Sequence, residues 1–119
     1  MNVTMLIHEG PSDAAARTDP ARAPDYWGAW RAYADALAQA GIVRGGAGLE
    51  LAGSATLVRR RGEESQVLDG PYAETREQLG GYFTLDVPDM ATALEWAARC
   101  PAVADGTVEL RPHLNMMPG

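Results

Sequence analysis

Acidic, aromatic and glycine residues are concentrated in the stretch LDGPYAETREQLGGYF, residues 68–83. It contains Asp69, Glu74 and Glu77, with Tyr72 between the first two. Carboxylates at such spacing can transfer protons, bind a substrate, or accept hydrogen bonds from the backbone of a turn. The stretch is therefore either a turn that the fold requires or one wall of a binding site.

Other kinds of reactive site are not indicated by the sequence. It contains no Gly-rich phosphate loop before a helix, no G-x-S-x-G nucleophile elbow and no C-x-x-C pair. The single cysteine, Cys100, is expected to be a small buried apolar residue at a helix end. His8 and His113 end the first and last predicted strands, which places them at opposite ends of an antiparallel sheet. We therefore predict no bound metal and no cofactor.

Length and charge narrow the class of protein. The chain has 119 residues, a formal net charge of −6 and 46% apolar residues, so residues 1–119 are predicted to form a single domain. The negative charge disfavours a nucleic-acid partner, because phosphate binding needs a basic surface. No apolar run approaches the length of a membrane span, and the N-terminal MNVTMLIHEG lacks the pattern of a signal peptide. We expect a cytoplasmic protein that binds neither nucleic acid nor membrane.

Local patterns predict the elements that must position the reactive residues. Strands are expected at 2–8 and 81–87, a hairpin at 54–61 and 64–70, and a last strand at 106–114. The glycine-rich stretch 42–53 is a strand or a loop, and 9–24 is a loop with room for one helical turn. Helices are predicted at 25–41 and 88–102, with Asp25 and Asp89 as their N-caps. The predicted core stripes are Trp27, Trp30, Ala34, Leu37 and Ala38 in the first helix, and Met90, Leu94, Ala97 and Ala98 in the second.

The order of these elements indicates the fold. Two β-α-β halves are most simply satisfied by an antiparallel sheet with both helices on one face, the ferredoxin-like plait of an α+β protein, here with an extra hairpin. Such a sheet leaves its other face without helices. Because a bare apolar face usually marks a subunit interface, we predict a homodimer that packs sheet against sheet.

The same topology predicts a cleft. The end of strand 2–8 lies beside the start of strand 81–87, and the first helix begins near that end. A titratable cluster with apolar walls is typical of a binding pocket. The predicted catalytic residues are His8, Asp69 and Glu77, and the predicted substrate-binding residues are Glu9, Trp27, Trp30, Tyr72, Glu74 and Gly81.

The block DGPYAETREQLGGYFTLDV, followed by ALEWAARCP and GTVELRP, resembles the YCII-related family. It is similar to the branch named for a D-G-P-F motif, with Tyr72 where that motif has Phe. The resemblance implies a ferredoxin-like fold that dimerises as an α/β barrel. Some members carry a His–Asp pair in a cleft, with the His in the first helix and the Asp before a Pro after the second. Helix 25–41 has no His and Cys100 precedes Pro101, so that pair is absent from this chain.

Two functions remain open from the sequence. One is the binding of a small molecule in the predicted cleft, with acid–base catalysis by His8 or Glu77 if the protein is an enzyme. The other is a non-catalytic dimer that acts through protein contacts. A companion of an alternative sigma factor is one example of this second function, because members of the branch that the chain resembles often look like such companions in bacterial genomes. A ligand-sized pocket would favour the first function, and carboxylates that face solvent or cap backbone N–H groups would favour the second.

Overall fold

A computed structural model describes residues 1–71 and 76–115 of the chain. Two short 3₁₀ turns, at Ala52–Ser54 and Pro101–Ala104, join longer elements. None of the helices in these ranges is long and apolar enough to cross a membrane. The longer elements, in chain order, are β1 (Asn2–Glu9), α1 (Pro11–Ala16), α2 (Ala23–Gln39), β2 (Val43–Gly48), β3 (Thr56–Arg61), β4 (Glu64–Asp69), β5 (Gln78–Asp86), α3 (Met90–Ala98) and β6 (Thr107–Pro112).

Four of the strands form one antiparallel sheet in the order β2-β5-β1-β6. β1 and β5 are neighbours from Asn2 opposite Asp86 to Glu9 opposite Gln78. This arrangement confirms the predicted α+β fold of the ferredoxin-like type. β6 lies at the edge of the sheet, where Pro112 can end the strand without removing a hydrogen bond from a central ladder.

The hydrophobic core lies between α2, α3 and one face of this sheet. Alternation along β1 sends every second side chain to that face, and Val3, Met5 and Ile7 are all buried there. The opposite face, which we call the open face, carries half-buried and exposed side chains from the same strands. Its central residues are Thr4, Leu6 and His8 of β1, Tyr82 and Thr84 of β5, and Glu109 of β6.

The start of α2 differs from the prediction. The helix begins at Ala23 and its N-cap position is Arg22, so the assignment of Asp25 as the N-cap is wrong. Pro24 lies in the first turn, where a residue without an N–H leaves no intrahelical bond unmade. Asp25 is then also in the first turn, where its charge favours the positive end of the helix dipole. The segment predicted as a loop with one turn contains the short helix α1.

The second predicted helix is confirmed at its start and corrected along its length. The Asp89 carboxylate accepts a hydrogen bond from the backbone N–H of Thr92 at 2.8 Å, as an N-cap does. The buried residues of α3 are Ala93 and Ala97, whereas Leu94 is 57% exposed. The prediction that Leu94 belongs to the core is therefore wrong. Small residues on the buried face let this short helix approach the sheet, and they turn the larger Leu94 outward.

The hairpin β3–β4 forms a sheet of its own. Its pairing brings Val58 directly opposite Val67, and these two side chains are 71% and 68% exposed. The predicted hairpin is thus confirmed, and it carries an exposed apolar pair. A hairpin of two strands is marginally stable in water when nothing packs on it.

The corrected core gives a matched test on two leucines. Leu37→Ala should lower the free energy of unfolding by about 3 kcal/mol, because Leu37 is fully buried and its loss leaves a cavity. Leu94→Ala should change it by no more than about 0.5 kcal/mol. Urea denaturation of both variants measures the difference, and equal losses would contradict the position of α3.

Candidate functional site

A cleft of about 550 Å³ opens between the first half of α2 and the sheet face formed by β2 and β5. Sites for small molecules typically have volumes of roughly 300–1,000 Å³. One wall is aromatic and helical, the floor is largely glycine, and one end is polar. The residues that line the cleft are Ile7, Glu9, Arg17, Tyr26, Trp27, Trp30, Arg31, Ala34, Gly46, Ala47, Gly48, Gly80, Gly81, Tyr82 and Phe83.

Glycine residues of β2 and β5 form the floor of the cleft. Gly46 pairs with Phe83, Gly48 pairs with Gly81, and Gly81 pairs with Ile7. Since Ile7 faces the core, this register places all three glycines on the face that α2 covers. A Cβ at Gly48 would meet no atom within 4 Å, so this position leaves open space under the helix. A Cβ at Gly46 or Gly81 would instead approach a backbone oxygen of the neighbouring strand, at 2.6 and 3.0 Å, so these glycines allow the two strands to lie close together.

A β-bulge shapes the floor beside these glycines. Residues Gly81 and Leu79 of β5 pair with consecutive residues of β1, so Gly80 is the extra residue of the bulge. A Cβ at Gly80 would lie 2.7 Å from a guanidinium nitrogen of Arg17 and would also overlap the carboxylate of Glu9. Gly80 therefore marks both a bulge and a close approach, and the approaching groups belong to this chain.

The aromatic wall is held in place by contacts behind it. The ring of Trp30 packs edge-on against Tyr33 with 6.0 Å between centroids, and Tyr33 packs in the same way on Phe83 at 6.0 Å. The Tyr33 hydroxyl donates to a backbone carbonyl of α3 at 2.7 Å. On the outer turn, Trp27 donates from its indole Nε1 to the carbonyl oxygen of Arg17 at 3.2 Å. The wall is therefore preformed.

The polar end of the cleft is a buried ion pair. Glu9 is 1% exposed, and its Oε1 accepts hydrogen bonds from Nε of Arg17 at 2.9 Å and from Nη2. Its Oε2 accepts a hydrogen bond from the hydroxyl of Tyr26. Arg17 also donates from Nη1 to the carbonyl of Leu49 at 2.5 Å and from Nη2 to that of Gly80 at 3.0 Å. One arginine thus joins β1, β5, α2 and the loop after β2.

The pKa values of Tyr26 and Arg17 are both raised above their usual values. Burial, reinforced by the hydrogen bond to Glu9, raises the pKa of Tyr26 to about 12. Burial acts to lower the pKa of Arg17, but the hydrogen bond with Tyr26 and the charge of Glu9 outweigh it and raise that pKa. The tyrosine therefore keeps its proton, and the arginine keeps its charge.

The structure brings together four of the residues predicted to bind a substrate. Glu9, Trp27, Trp30 and Gly81 all line the cleft. The other two predicted binding residues, Tyr72 and Glu74, lie outside the described residues.

His8 does not join this group. Successive residues of a strand face opposite sides of a sheet, so Glu9 faces the cleft and His8 faces the open face. There His8 Nε2 lies 2.9 Å from Oε1 of Glu109. The pKa of Glu109 is lowered, first by its hydrogen bond from Arg111 and then by the one with His8. The prediction that His8 and Glu9 converge on one cleft is wrong.

The other two predicted catalytic residues lie near the ends of the 68–83 stretch. Asp69 ends β4 opposite Thr56 and is exposed, and Glu77 is half-buried directly before β5. Gly70 donates its N–H to the carbonyl of Ala55 at 2.6 Å, and a Cβ on Gly70 would overlap Ala55. This glycine is therefore required by a close backbone approach. The catalytic roles assigned to His8, Asp69 and Glu77 stay predictions.

Sequence reasoning missed Arg17 as part of the site, because it lies in the segment assigned to a loop. A signal was available in β1. The buried positions Val3, Met5 and Ile7 put Glu9 on the same face, and a buried carboxylate requires a cationic or hydrogen-bonding partner. The glycines of β2 were also missed, since their role appears only when the register places them under α2.

Metal ligands do not cluster in the part of the chain that the structure describes. No group of three histidine, cysteine, aspartate or glutamate side chains comes together there. His8 pairs with Thr107 at one end of β6, while His113 follows the other end and bonds Thr4 at 2.6 Å. Cys100 is 1% exposed, and burial raises its pKa to about 11, as expected for an unreactive core thiol.

The buried ion pair yields a stability prediction. Glu9→Gln removes the negative charge and leaves the Arg17 cation buried without its counter-charge. We expect the free energy of unfolding to fall by about 3 kcal/mol, measured by urea denaturation near neutral pH. Glu95→Gln, on the exposed side of α3, is the control and should leave the urea midpoint almost unchanged. Similar losses in both variants would contradict a special role for the buried pair.

Comparison with known proteins places the chain in a family. A stretch of 68 residues, 56% of this chain, is 35% identical to "Uncharacterized protein R00369" of Rhizobium meliloti (strain 1021), and the match spans 55% of that protein. The chain thus matches about half the length of this curated relative. Membership of the D-G-P-F branch stays a prediction. The family model of the YCII-related domain matches residues 1–116, and the chain therefore belongs to the YCII-related family.

Proposed function

We propose that this protein binds a small molecule with a flat apolar part in the cleft between α2 and the glycine floor of β2 and β5. The observation that carries the proposal is the glycine floor at Gly46, Gly48 and Gly81, with open space at Gly48, facing Trp27 and Trp30 across the cleft. An aromatic wall facing bare backbone forms a slot that suits a planar group. Trp27 remains 47% exposed, which leaves apolar surface for a ligand to cover.

Binding is supported more directly than catalysis. The titratable groups at the polar end of the cleft are hydrogen-bonded to one another, and they are Glu9, Arg17 and Tyr26. A general base must be within reach of the substrate proton, and Glu9 is only 1% exposed. The acid–base chemistry that the sequence predicts for His8 or Glu77 stays a prediction.

Gly48→Val tests the cleft without disturbing the fold. A Cβ at Gly48 meets no atom within 4 Å, so the valine side chain occupies only cleft space. We expect binding of the neutral fluorescent probe N-phenyl-1-naphthylamine to weaken at least about tenfold, while the unfolding temperature is unchanged or higher. The measurements are a fluorescence titration and a thermal melt.

Gly45→Val is the matched control for this variant. Gly45 belongs to the same strand and also has free space around its Cβ, but it pairs with Thr84 on the open face. Probe binding should therefore match that of the wild type. Equal binding by wild type and Gly48→Val, or no binding by wild type, would overturn the proposed function.

A second candidate function is contact with a protein partner. The exposed pair Val58 and Val67 on the projecting hairpin favours it, because apolar side chains that stand clear of the core gain from being covered. This function becomes the better one if the wild-type cleft fails to bind the probe.

We also propose that the protein is a homodimer joined through the open face, and that it acts in the cytoplasm. Leu6 and Tyr82 lie opposite each other in the middle of that face, and Tyr82 is 37% exposed. These side chains supply the apolar centre that an interface between two copies needs, with polar side chains around them.

Light scattering after gel filtration tests the dimer. The wild type should have twice the mass of the 12.7 kDa chain. Leu6→Arg should give the monomer, because it buries a charge at the centre of the interface. Leu94→Arg, on the exposed side of α3, should remain dimeric. A monomeric wild type, or a dimeric Leu6→Arg, would contradict this mode of assembly.

A further inference from the structure

The polar groups at the polar end of the cleft already have hydrogen-bond partners within the chain. Glu9 accepts hydrogen bonds on both carboxylate oxygens, and Arg17 uses all three of its nitrogens. The Tyr26 hydroxyl donates to Glu9 and accepts from Arg17 Nε at 3.2 Å. The indole N–H of Trp27 also donates a hydrogen bond, to the carbonyl oxygen of Arg17. One N–H of Arg17 Nη1 has no partner among the described residues, but Glu9 already balances the charge of that guanidinium group.

Arg31 is different. It lines the same cleft from α2, one turn after Trp27 and next to Trp30, and it is exposed. Within residues 1–71 and 76–115, no hydrogen bond or ion pair holds its guanidinium group. Tyr82 also lines the cleft, but its register with Leu6 assigns its side chain to the open face.

Three charged residues line the cleft, and they are Glu9, Arg17 and Arg31. Glu9 and Arg17 cancel each other, and Arg31 leaves an excess positive charge on a chain whose formal net charge is −6. A guanidinium group is planar and presents paired N–H donors, which match the oxygens of a carboxylate, sulfonate or phosphate. An apolar slot with one free guanidinium at its rim recognises an amphipathic molecule.

We propose that the ligand of the cleft is a planar apolar molecule with one anionic group, which Arg31 binds at the rim. This inference rests on the proposed function, because it names the class of molecule that the same cleft takes. The flat part lies between Trp30 and the glycine floor, and the anionic group stays near solvent. The position of the cation therefore sets the orientation of the ligand.

Two probes that differ by one sulfonate test this class. N-phenyl-1-naphthylamine is neutral, and 8-anilino-1-naphthalenesulfonate is the same ring system with an anionic group. We expect the wild type to bind the sulfonate about fivefold more tightly, the effect of one solvent-accessible ion pair. Arg31→Gln should remove this difference while leaving the affinity for the neutral probe unchanged. Arg31→Lys should keep part of it.

Arg60→Gln is the control for net charge. It lowers the charge of the chain by the same amount, but Arg60 lies on the hairpin β3–β4 and does not line the cleft. It should bind both probes as the wild type does. If Arg60→Gln and Arg31→Gln weaken sulfonate binding equally, the effect is one of overall charge and the inference is overturned.

The outcomes separate this inference from the proposed function. Equal affinity of the wild type for both probes, with Gly48→Val still blocking the neutral one, would overturn the anionic class and leave the binding cleft standing. Sulfonate binding that is insensitive to Gly48→Val would place the probe outside the cleft and overturn both. A thermal melt of each variant confirms that the comparison is made between folded proteins.

Discussion

The ion pair between Glu9 and Arg17 is the interaction on which the arrangement of the site depends. A carboxylate that is 1% exposed is tolerated only with a cation and hydrogen bonds to balance the loss of water. Arg17 meets this need and, through the carbonyls of Leu49 and Gly80, also fixes the loop after β2 and the bulge of β5. The segment after α1 is thereby held against the sheet, and Trp27, bonded to the Arg17 carbonyl, is held with it.

The cleft itself results from residues that are small rather than from residues that are reactive. Gly46, Gly48 and Gly81 form a floor of bare backbone opposite the tryptophans of α2, with open space at Gly48, so helix and sheet enclose a gap. Trp30 packs against Tyr33, which packs in turn on Phe83, and this chain of contacts holds Trp30 away from the floor. Rigid walls lower the entropic cost of binding, since little has to be ordered when a ligand enters.

The two faces of the sheet divide the polar residues into separate groups. Glu9 belongs to the cleft with Arg17 and Tyr26, whereas His8 belongs to the open face with Glu109. His8 and Glu9 are neighbours in the sequence, but their side chains have different chemical surroundings. Any chemistry of the histidine would take place on the face where a second copy is proposed to dock, and binding in the cleft would proceed on the other.

Local patterns in the sequence determined β1, β5, β6, the hairpin, the cap at Asp89 and the ferredoxin-like order of elements, because these depend on alternation and on residues close in the chain. They left β2 open between a strand and a loop. They also pointed to Glu9, Trp27, Trp30 and Gly81, which the topology brings to one end of the sheet. Only the tertiary structure decided that His8 lies on the other side, that Arg17 is the partner of Glu9, and that the glycines of β2 lie under α2. Those facts depend on register and on contacts across the sheet, which the spacing of residues along a chain does not encode.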